Sequence, residues 1–403
     1  MPTHASSQKA TERHSPLEVL LVFLRLGCTS FGGPVAHLGY FQKEIVERRR
    51  WVSESAYAEL IAIAHALPGP GSSQVGFALG LLRAGWLGGL AVWLGFTLPS
   101  ALLMLAFAFG HSIFDSAPGV RVLHGLQLVA VAVVAQAVWT MQRTLAPDRV
   151  RTAIAIGATA LVLLAPAGIA TLAAIAACAV AGLVLCRKSD SAAPPAAMLT
   201  TQRTAGAFCA VLFLLLLIAP WILLRFVAAP ALAVFSAFYR SGALVFGGGH
   251  VVLPMLENAV VARGWVTQPV FLSGYGAAQA MPGPLFTFGA FLGAAVRPSP
   301  HPALYGVMAL LAIFLPGLLL MAAVLPFWSK LRANAPVQSA LRGVNAGVVG
   351  ILIAALFHPL WTATVHTTAD FCIALAVFAL LVRWKTQPWI IVVGVAAVSL
   401  LPW

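Results

Sequence analysis

The chain predicts an all-α polytopic membrane protein, built as two inverted-topology repeats with broken, re-entrant helices. Three observations carry that prediction. First, of 403 residues 61% are hydrophobic and only 9% charged, where a soluble domain carries about 25% charged residues. Second, the apolar runs suit helices that cross hydrocarbon, which takes about 20 residues each, and open sheet edges cannot exist in lipid; the alternation of a membrane barrel is absent. Third, the chain writes one pattern twice. Arg25 stands six residues before Phe31-Gly32-Gly33-Pro34, followed by Trp51-Val52 and Ala66-Leu67-Pro68-Gly69-Pro70. Arg240 stands six residues before Phe246-Gly247-Gly248-Gly249, followed by Trp265-Val266 and Ala280-Met281-Pro282-Gly283-Pro284. A shared order at nearly one spacing is an internal duplication.

Residues 1–15 are polar and are expected to form a disordered cytoplasmic N-terminus. Residues 17–26 resemble a signal-peptide core, but Arg25 interrupts it and no small-residue cleavage site follows, so the segment is expected to stay. The N-terminal repeat is expected over 16–186. Pro16 suits a first helical position, and the helix breaks at Gly32-Gly33-Pro34 after about 22 Å, too short for an untilted span. A second short helix follows, ending in the charged run Lys43 to Arg50. Short pieces at 57–67 and 72–82 flank Pro-Gly-Pro, where proline removes a donor and glycine relaxes the backbone. Longer helices are expected near 86–110, 121–141, 151–165 and 168–186. A polar linker (187–203) and a connecting transmembrane helix within 204–230 lead to the C-terminal repeat, 231–403. There the plan recurs: short pieces at 231–246, 250–262, 271–281 and 285–296, then helices near 303–327, 337–357, 369–383 and 387–402.

The net charge of +13 fits cytoplasmic loops better than nucleic acid, because lysine and arginine collect there. With a cytoplasmic N-terminus and re-entrant hairpins, Lys43, Arg48 to Arg50, Arg83, Arg143, Arg149, Arg151, Arg187, Lys188, Arg203, Lys330, Arg332, Arg383 and Lys385 fall inside. Arg121, Arg225, Arg263 and Arg297 fall outside. That count places the second repeat upside down relative to the first; a single broken span over 57–82 is the competing placement. The five cysteines have no CxxC spacing, so neither a metal nor a disulfide is expected.

Inverted repeats with broken helices are a transporter plan. A helix that starts inside the membrane points free N–H groups and a positive dipole end into the protein, which favours an anion. Arg25 and Arg240 each sit in an apolar helix, at a cost of at least ~2.5–3.5 kcal/mol on insertion scales. As a pair they could face an oxyanion, which guanidinium donors suit; snorkelling to an interface is the competing reading. The expected substrate-binding set is Arg25, Gly32, Gly33, Gly69, Ser72, Ser73, Gln74, Arg240, Gly247, Gly248, Gly283 and Thr287. Simple helix-breaking turns are the competing reading for the glycines. His37, His65, Glu59, His250 and Glu257 are the proton-coupling candidates; a hydrogen-bonded structural role competes for each. No cofactor is expected. Hydrolase, P-loop and dinucleotide motifs are absent, so an enzyme is not expected. An intramembrane hydrolase built on Ser72 or Ser73 with His65 would lack its partner groups.

The run SFGGPVAHLGYFQKEIVERRRWVSE from Ser30, with ALPGPGSSQVGFALGLLRAGWLGG and GFTLPS, resembles the N-terminal half of the chromate ion transporter family. ALVFGGGHVVLPML, GYGAAQAMPGPLFTFGAFLGA, IFLPGLLL and LRGVNAGVVG resemble its C-terminal half. The resemblance covers nearly the whole chain and is to the long-chain, two-domain form. It implies a multi-pass protein of the bacterial inner membrane that exports chromate from the cytoplasm and confers resistance, powered by the proton-motive force, with sulfate as a competing dianion. An importer of sulfate or another oxyanion would share the fold. The sequence leaves a homodimer open.

Overall fold

The computed structural model describes residues 15–110, 116–165, 170–186, 202–246, 251–297, 299 and 301–400. Residues 1–14, most of the linker, Gly247, Gly248 and His250 lie outside the described residues. Among the described residues every regular element is helical. The first half runs α1 (Pro16–Thr29), α2 (Gly33–Phe41) with a π-helical extension Gln42–Arg48, α3 (Glu54–Ala66), α4 (Gly71–Phe109), α5 (Ala117–Leu145), α6 (Arg149–Leu164) and α7 (Ala170–Leu185). α8 (Arg203–Leu223) connects the halves. The second half runs α9 (Pro230–Ala243), α10 (Val252–Val260), α11 (Gln268–Ala278), α12 (Phe288–Ala295) behind a 3₁₀ turn Leu285–Thr287, and α13 (Pro302–Val324). It ends with α14 (Trp328–Ala333), α15 (Ala335–Ala355) with a π-helical turn Leu356–Trp361, α16 (Thr362–Thr364), α17 (Thr368–Val382) and α18 (Pro388–Ser399).

Five of these helical stretches are long and apolar enough to cross a membrane, and the chain is a multi-pass membrane protein. α8 makes the solvent plain: Phe208, Val211, Leu214, Leu215 and Ile218 all face outward, an arrangement that lipid favours and water would not. Prolines occupy the first turn of α1, α2, α9, α13 and α18, where the missing N–H has no intrahelical partner to lose.

Two expected helices run longer than their apolar pattern. The helix expected over 121–141 begins at Ala117, because the Ser116 side chain accepts from the Gly119 N–H and Pro118 fits the first turn. The helix expected over 337–357 begins at Ala335 under an Asn334 cap and continues through the π-helical turn. The two pieces expected either side of residue 84 join as α4, but Ala84 (φ −139°) and Gly85 (φ +66°) are not helical. The chain reverses there. Gly80 and Gly88 touch backbone to backbone, and Phe77 lies against Gly89, so the two arms of α4 form a tight antiparallel hairpin. α12 and α13 pack the same way through Gly293 and Tyr305.

The halves trade partners. α5 packs on α17 and α18 of the second half, while α15 packs on α6 and α7 of the first. The start of α5 meets the start of α17 through His124 Nε2 and Asp370 Oδ1 (2.8 Å), and the end of α18 through Arg121 Nε donating to the Ser399 carbonyl (3.3 Å). The start of α15 meets the end of α7, where Ser339 Oγ donates to the Cys186 carbonyl at 3.2 Å. Arg342 there shares a cavity wall with Asp148, Arg149 and Arg151, which follow the end of α5. Glycines permit a close crossing of α7 and α15: Gly182 and Gly343 lie backbone on backbone, with no room for a Cβ on either.

Candidate functional site

The two Pro-Gly-Pro turns dock reciprocally. Gly69 N–H donates to the Val245 carbonyl at 2.7 Å, and Gly283 N–H donates to the Ser30 carbonyl at 2.8 Å. Each turn thus bonds the residue just before the glycine break of the other half. Both glycines have positive φ, +128° and +88°, a conformation that side chains with a Cβ rarely adopt. Both also press on a Leu-Pro-small motif across the junction. A Cβ on Gly69 would sit 2.8 Å from Gly317 Cα, and one on Gly283 would sit 2.9 Å from Ser100 Oγ. Gln74 clamps the first turn, donating from Nε2 to the Pro68 carbonyl (2.9 Å) and the Gly317 carbonyl (3.1 Å).

A cavity of about 710 Å³ opens where the first glycine break meets the second Pro-Gly-Pro turn. Gly32, Gly33, Gly283 and Gln279 line it, and Arg143 and Lys385 bring positive charge to it. Gly32 (φ +99°) is the N-cap of α2 and makes no side-chain cap bond, so the helix start faces the cavity with free donors. Arg143 lies against the Trp139 ring at 4.4 Å. A smaller cavity, about 370 Å³, is lined by α10, the end of α15 and the facing ends of α6 and α7. Glu257 and His358 line it, and among the described residues no lysine or arginine does. Glu257 Oε1 accepts from Gln268 Nε2 at 2.7 Å.

Behind the larger cavity lies a buried polar cluster. His37 Nδ1 and Ser72 Oγ are 3.2 Å apart, and the His37 ring meets the Phe96 ring edge-on at 5.1 Å. The Ser30 backbone is within hydrogen-bond reach of the same ring. Ser30, His37, Ser72, Ser73, Gln74, Thr97 and Ser100 are all at most 3% exposed. Ser30 Oγ, Ser73 Oγ and Thr97 Oγ1 have no protein partner among the described residues. Each such orphan costs about 1–3 kcal/mol, so three in one neighbourhood invite a ligand.

Of the expected binding residues, Gly32, Gly33 and Gly283 line the cavity, Ser72 meets His37, and Gln74 sits at the seam between halves; Ser73 is buried beside Ser72 in the first turn of α4. Thr287 is buried, its hydroxyl donating to the Pro284 carbonyl at 2.9 Å. Arg25 is exposed and lines a separate cavity of about 540 Å³ with Lys43, Glu44, Glu47 and Arg48; Tyr40 borders both that cavity and the large one. Arg240 is half-buried and close enough to Arg263 for their charges to repel. Neither Arg25's cavity nor the large one includes Arg240. Among the proton-coupling candidates, His37 is in the cluster, Glu257 faces the smaller cavity, Glu59 is buried on α3 and His65 is exposed on its last turn. Sequence reasoning passed over Ser30, Thr97, Ser100 and Gln136, and counted Arg143 and Lys385 only as loop charge. The one available signal was position: Ser30 abuts the first glycine break and Ser100 follows the repeated Leu-Pro pair.

Comparison with known proteins agrees with this architecture. The family model described as "Chromate transporter" matches residues 17–183 and 232–400. The chain is 30% identical to the chromate transport protein of Pseudomonas aeruginosa, over 98% of this chain and 94% of that one. It is 29% identical to the probable chromate transport protein of Synechococcus elongatus (93% of each chain) and 26% identical to the chromate transport protein of Cupriavidus metallidurans (99% and 96%). No solved structure matches the chain. With both halves covered by the family model, this chain belongs to the chromate transporter family.

Proposed function

We propose that this protein is a secondary transporter that exports chromate from the cytoplasm across the bacterial inner membrane. The observation that carries the reading is the cavity between the first glycine break and the second Pro-Gly-Pro turn, with Arg143 and Lys385 on its wall. Family membership and the relatives' names supply the substrate.

The halves are read as inverted repeats. The exchange of partners supports this: the start of α5 lies with the end of α18, whereas the start of α15 lies beside the residues that follow the end of α5. If both helices span, they run in opposite directions. The end of α5 carries Arg143, with Arg149 and Arg151 following at the start of α6, and is read as the cytoplasmic side by the positive-inside rule. The large cavity then faces the cytoplasm and the smaller one faces outward. A dianion is drawn to the first by its two cations and the start of α2, and meets no cation in the second, which favours release.

Alternating access would work through the paired backbone bonds. Parting Gly283 from Ser30 opens the path from the cytoplasmic cavity, and parting Gly69 from Val245 opens the other side. Moving one charge through 100 mV is worth about 2.3 kcal/mol, so a dianion leaving a negative interior gains roughly 4.6 kcal/mol at that potential. Proton exchange could add to this through Glu257. The test is uptake of labelled chromate into inside-out vesicles, with an imposed potential, an imposed pH gradient or neither, and with sulfate as competitor. Gradient-driven accumulation above empty-vector vesicles is expected. No accumulation with correctly inserted protein would overturn export, and accumulation in right-side-out vesicles alone would point to an importer.

A further inference from the structure

The duplicated backbone hides a one-sided chemistry. The first half places Ser30, His37, Ser73, Thr97 and Ser100 around the junction. At the matching positions the second half has Val245, Val252, Thr287, Phe314 and Gly317. Ser72 faces His37, whereas its counterpart is Phe286, buried against Phe314 at 5.7 Å between ring centroids. The one hydroxyl that survives in the second half, Thr287, is already engaged by Pro284. The three orphaned hydroxyls named above belong to the first half; on the cavity wall the second half adds the amide nitrogen of Gln279, unpartnered among the described residues.

We propose that the transported tetrahedral oxyanion is held chiefly against the first half, by uncharged donors. These are the hydroxyls of Ser30, Ser72, Ser73 and Thr97 and the N-terminal N–H groups of α4. The second half closes over the site with the backbone of Gly283. This deepens the export reading and rests on it for the identity of the substrate. The location follows from contacts. Ser72 and Ser73 form the first turn of α4, whose N-cap, Pro70, supplies no side-chain acceptor. The Gly283–Ser30 bond closes the end of the large cavity, so a substrate leaving that cavity meets the hydroxyls next. The first turn of α4 meets α2 through Ser72 and His37, the start of α2 lines the adjoining cavity, and helix starts carry about half a positive charge each. Together they offset about one of a dianion's two charges without a fixed cation, so the site can let the anion go. Hydroxyls that donate to oxyanions also tolerate sulfate as well as chromate.

The experiment combines transport with binding. Ser30→Ala, Thr97→Val and the pair are compared with wild type and with Ser241→Ala, a buried serine of the second half bonded to its own helix at Ala237. A hydrogen bond to a charged partner is worth about 1.5–3 kcal/mol, so each variant should raise KM for chromate about 10- to 150-fold. Neither should lose thermal stability in detergent, because removing an orphaned buried hydroxyl relieves a cost. Ser241→Ala should keep the wild-type KM. Thermal protection by added chromate or sulfate is measured in parallel on purified protein, where direction does not matter. Protection that is present in wild type and lost in the variants supports the site even if vesicles fail to accumulate chromate, which would sink export alone. Wild-type KM and wild-type protection in the double variant would overturn the proposal, as would the absence of protection by either anion in wild type.

Discussion

Gly283→Ala isolates the cost of the reciprocal docking, and Gly33→Ala is its internal control. Both glycines have positive φ, +88° and +78°, so a Cβ strains the backbone by about 1–2 kcal/mol at either position. Their surroundings differ. A Cβ on Gly33 meets nothing within 4 Å, whereas on Gly283 it would sit 2.9 Å from Ser100 Oγ and 3.0 Å from the Phe96 carbonyl. The carbonyl is helix backbone and Ser100 is held by its bond to the Thr97 carbonyl, so neither yields cheaply. Overpacking of this kind costs about 1–3 kcal/mol. Gly283→Ala should therefore lose about 2–5 kcal/mol and Gly33→Ala about 1–2. Equilibrium unfolding in mixed detergent, followed by tryptophan fluorescence, measures the difference. Equal destabilisation of the two variants would refute the claim that the Pro-Gly-Pro turn is packed against the opposite half.

Further predictions concern the charged wall of the large cavity and the cap of α6. Arg143→Gln with Lys385→Gln should raise KM for chromate about 3- to 10-fold at low salt and flatten its dependence on ionic strength, because the pair acts by attracting the anion at long range; an unchanged salt profile in vesicle uptake would remove them from the path. Asp148 caps α6, accepting from the Arg151 N–H (2.9 Å) and Arg151 Nε (2.6 Å), and these two donors hold its carboxyl below the usual range. A depressed folded-state pKa means stability present above the unfolded value, about 4, and lost as pH falls through the folded one; hydrogen exchange at the Arg151 amide should therefore be flat in protection from pH 5 to 8. Asp148→Ala should lower that protection about 5-fold, the equivalent of about 1 kcal/mol for a lost cap.

Much of the fold was legible because lipid imposes simple rules. Long apolar runs, prolines at helix starts and the Pro-Gly-Pro breaks located nearly every helix within a few residues. The misses came where a cap or an irregular turn overrode hydropathy, as at Ser116 and the π-helical turn after Ala355. The candidate site was half legible. Duplication pointed to glycines and arginines, the features shared by both copies, and so drew attention away from Ser30, Thr97 and Ser100, which the copies do not share. A buried hydroxyl without a partner has no sequence signature; it is visible only when every neighbour's bonds are accounted for. Arg25 and Arg240 illustrate the converse. Their matched positions are plain in the sequence, but only packing reveals that Arg25 shares a cavity with Lys43, Glu44, Glu47 and Arg48 and that Arg240 lies near Arg263.

The exchange of α5 and α15 between halves bears on how such a protein could arise. Neither half is a finished folding unit, because α5 is sheathed by α11, α17 and α18 of the second half and α15 by α6 and α7 of the first. A one-repeat ancestor would have left both grooves bare in the bilayer and could close them only by pairing with another chain of its kind. A single repeat of this design would need a second copy to cover it. Joined in one chain, the two copies need not stay alike, and here one carries hydroxyls where the other carries phenylalanine.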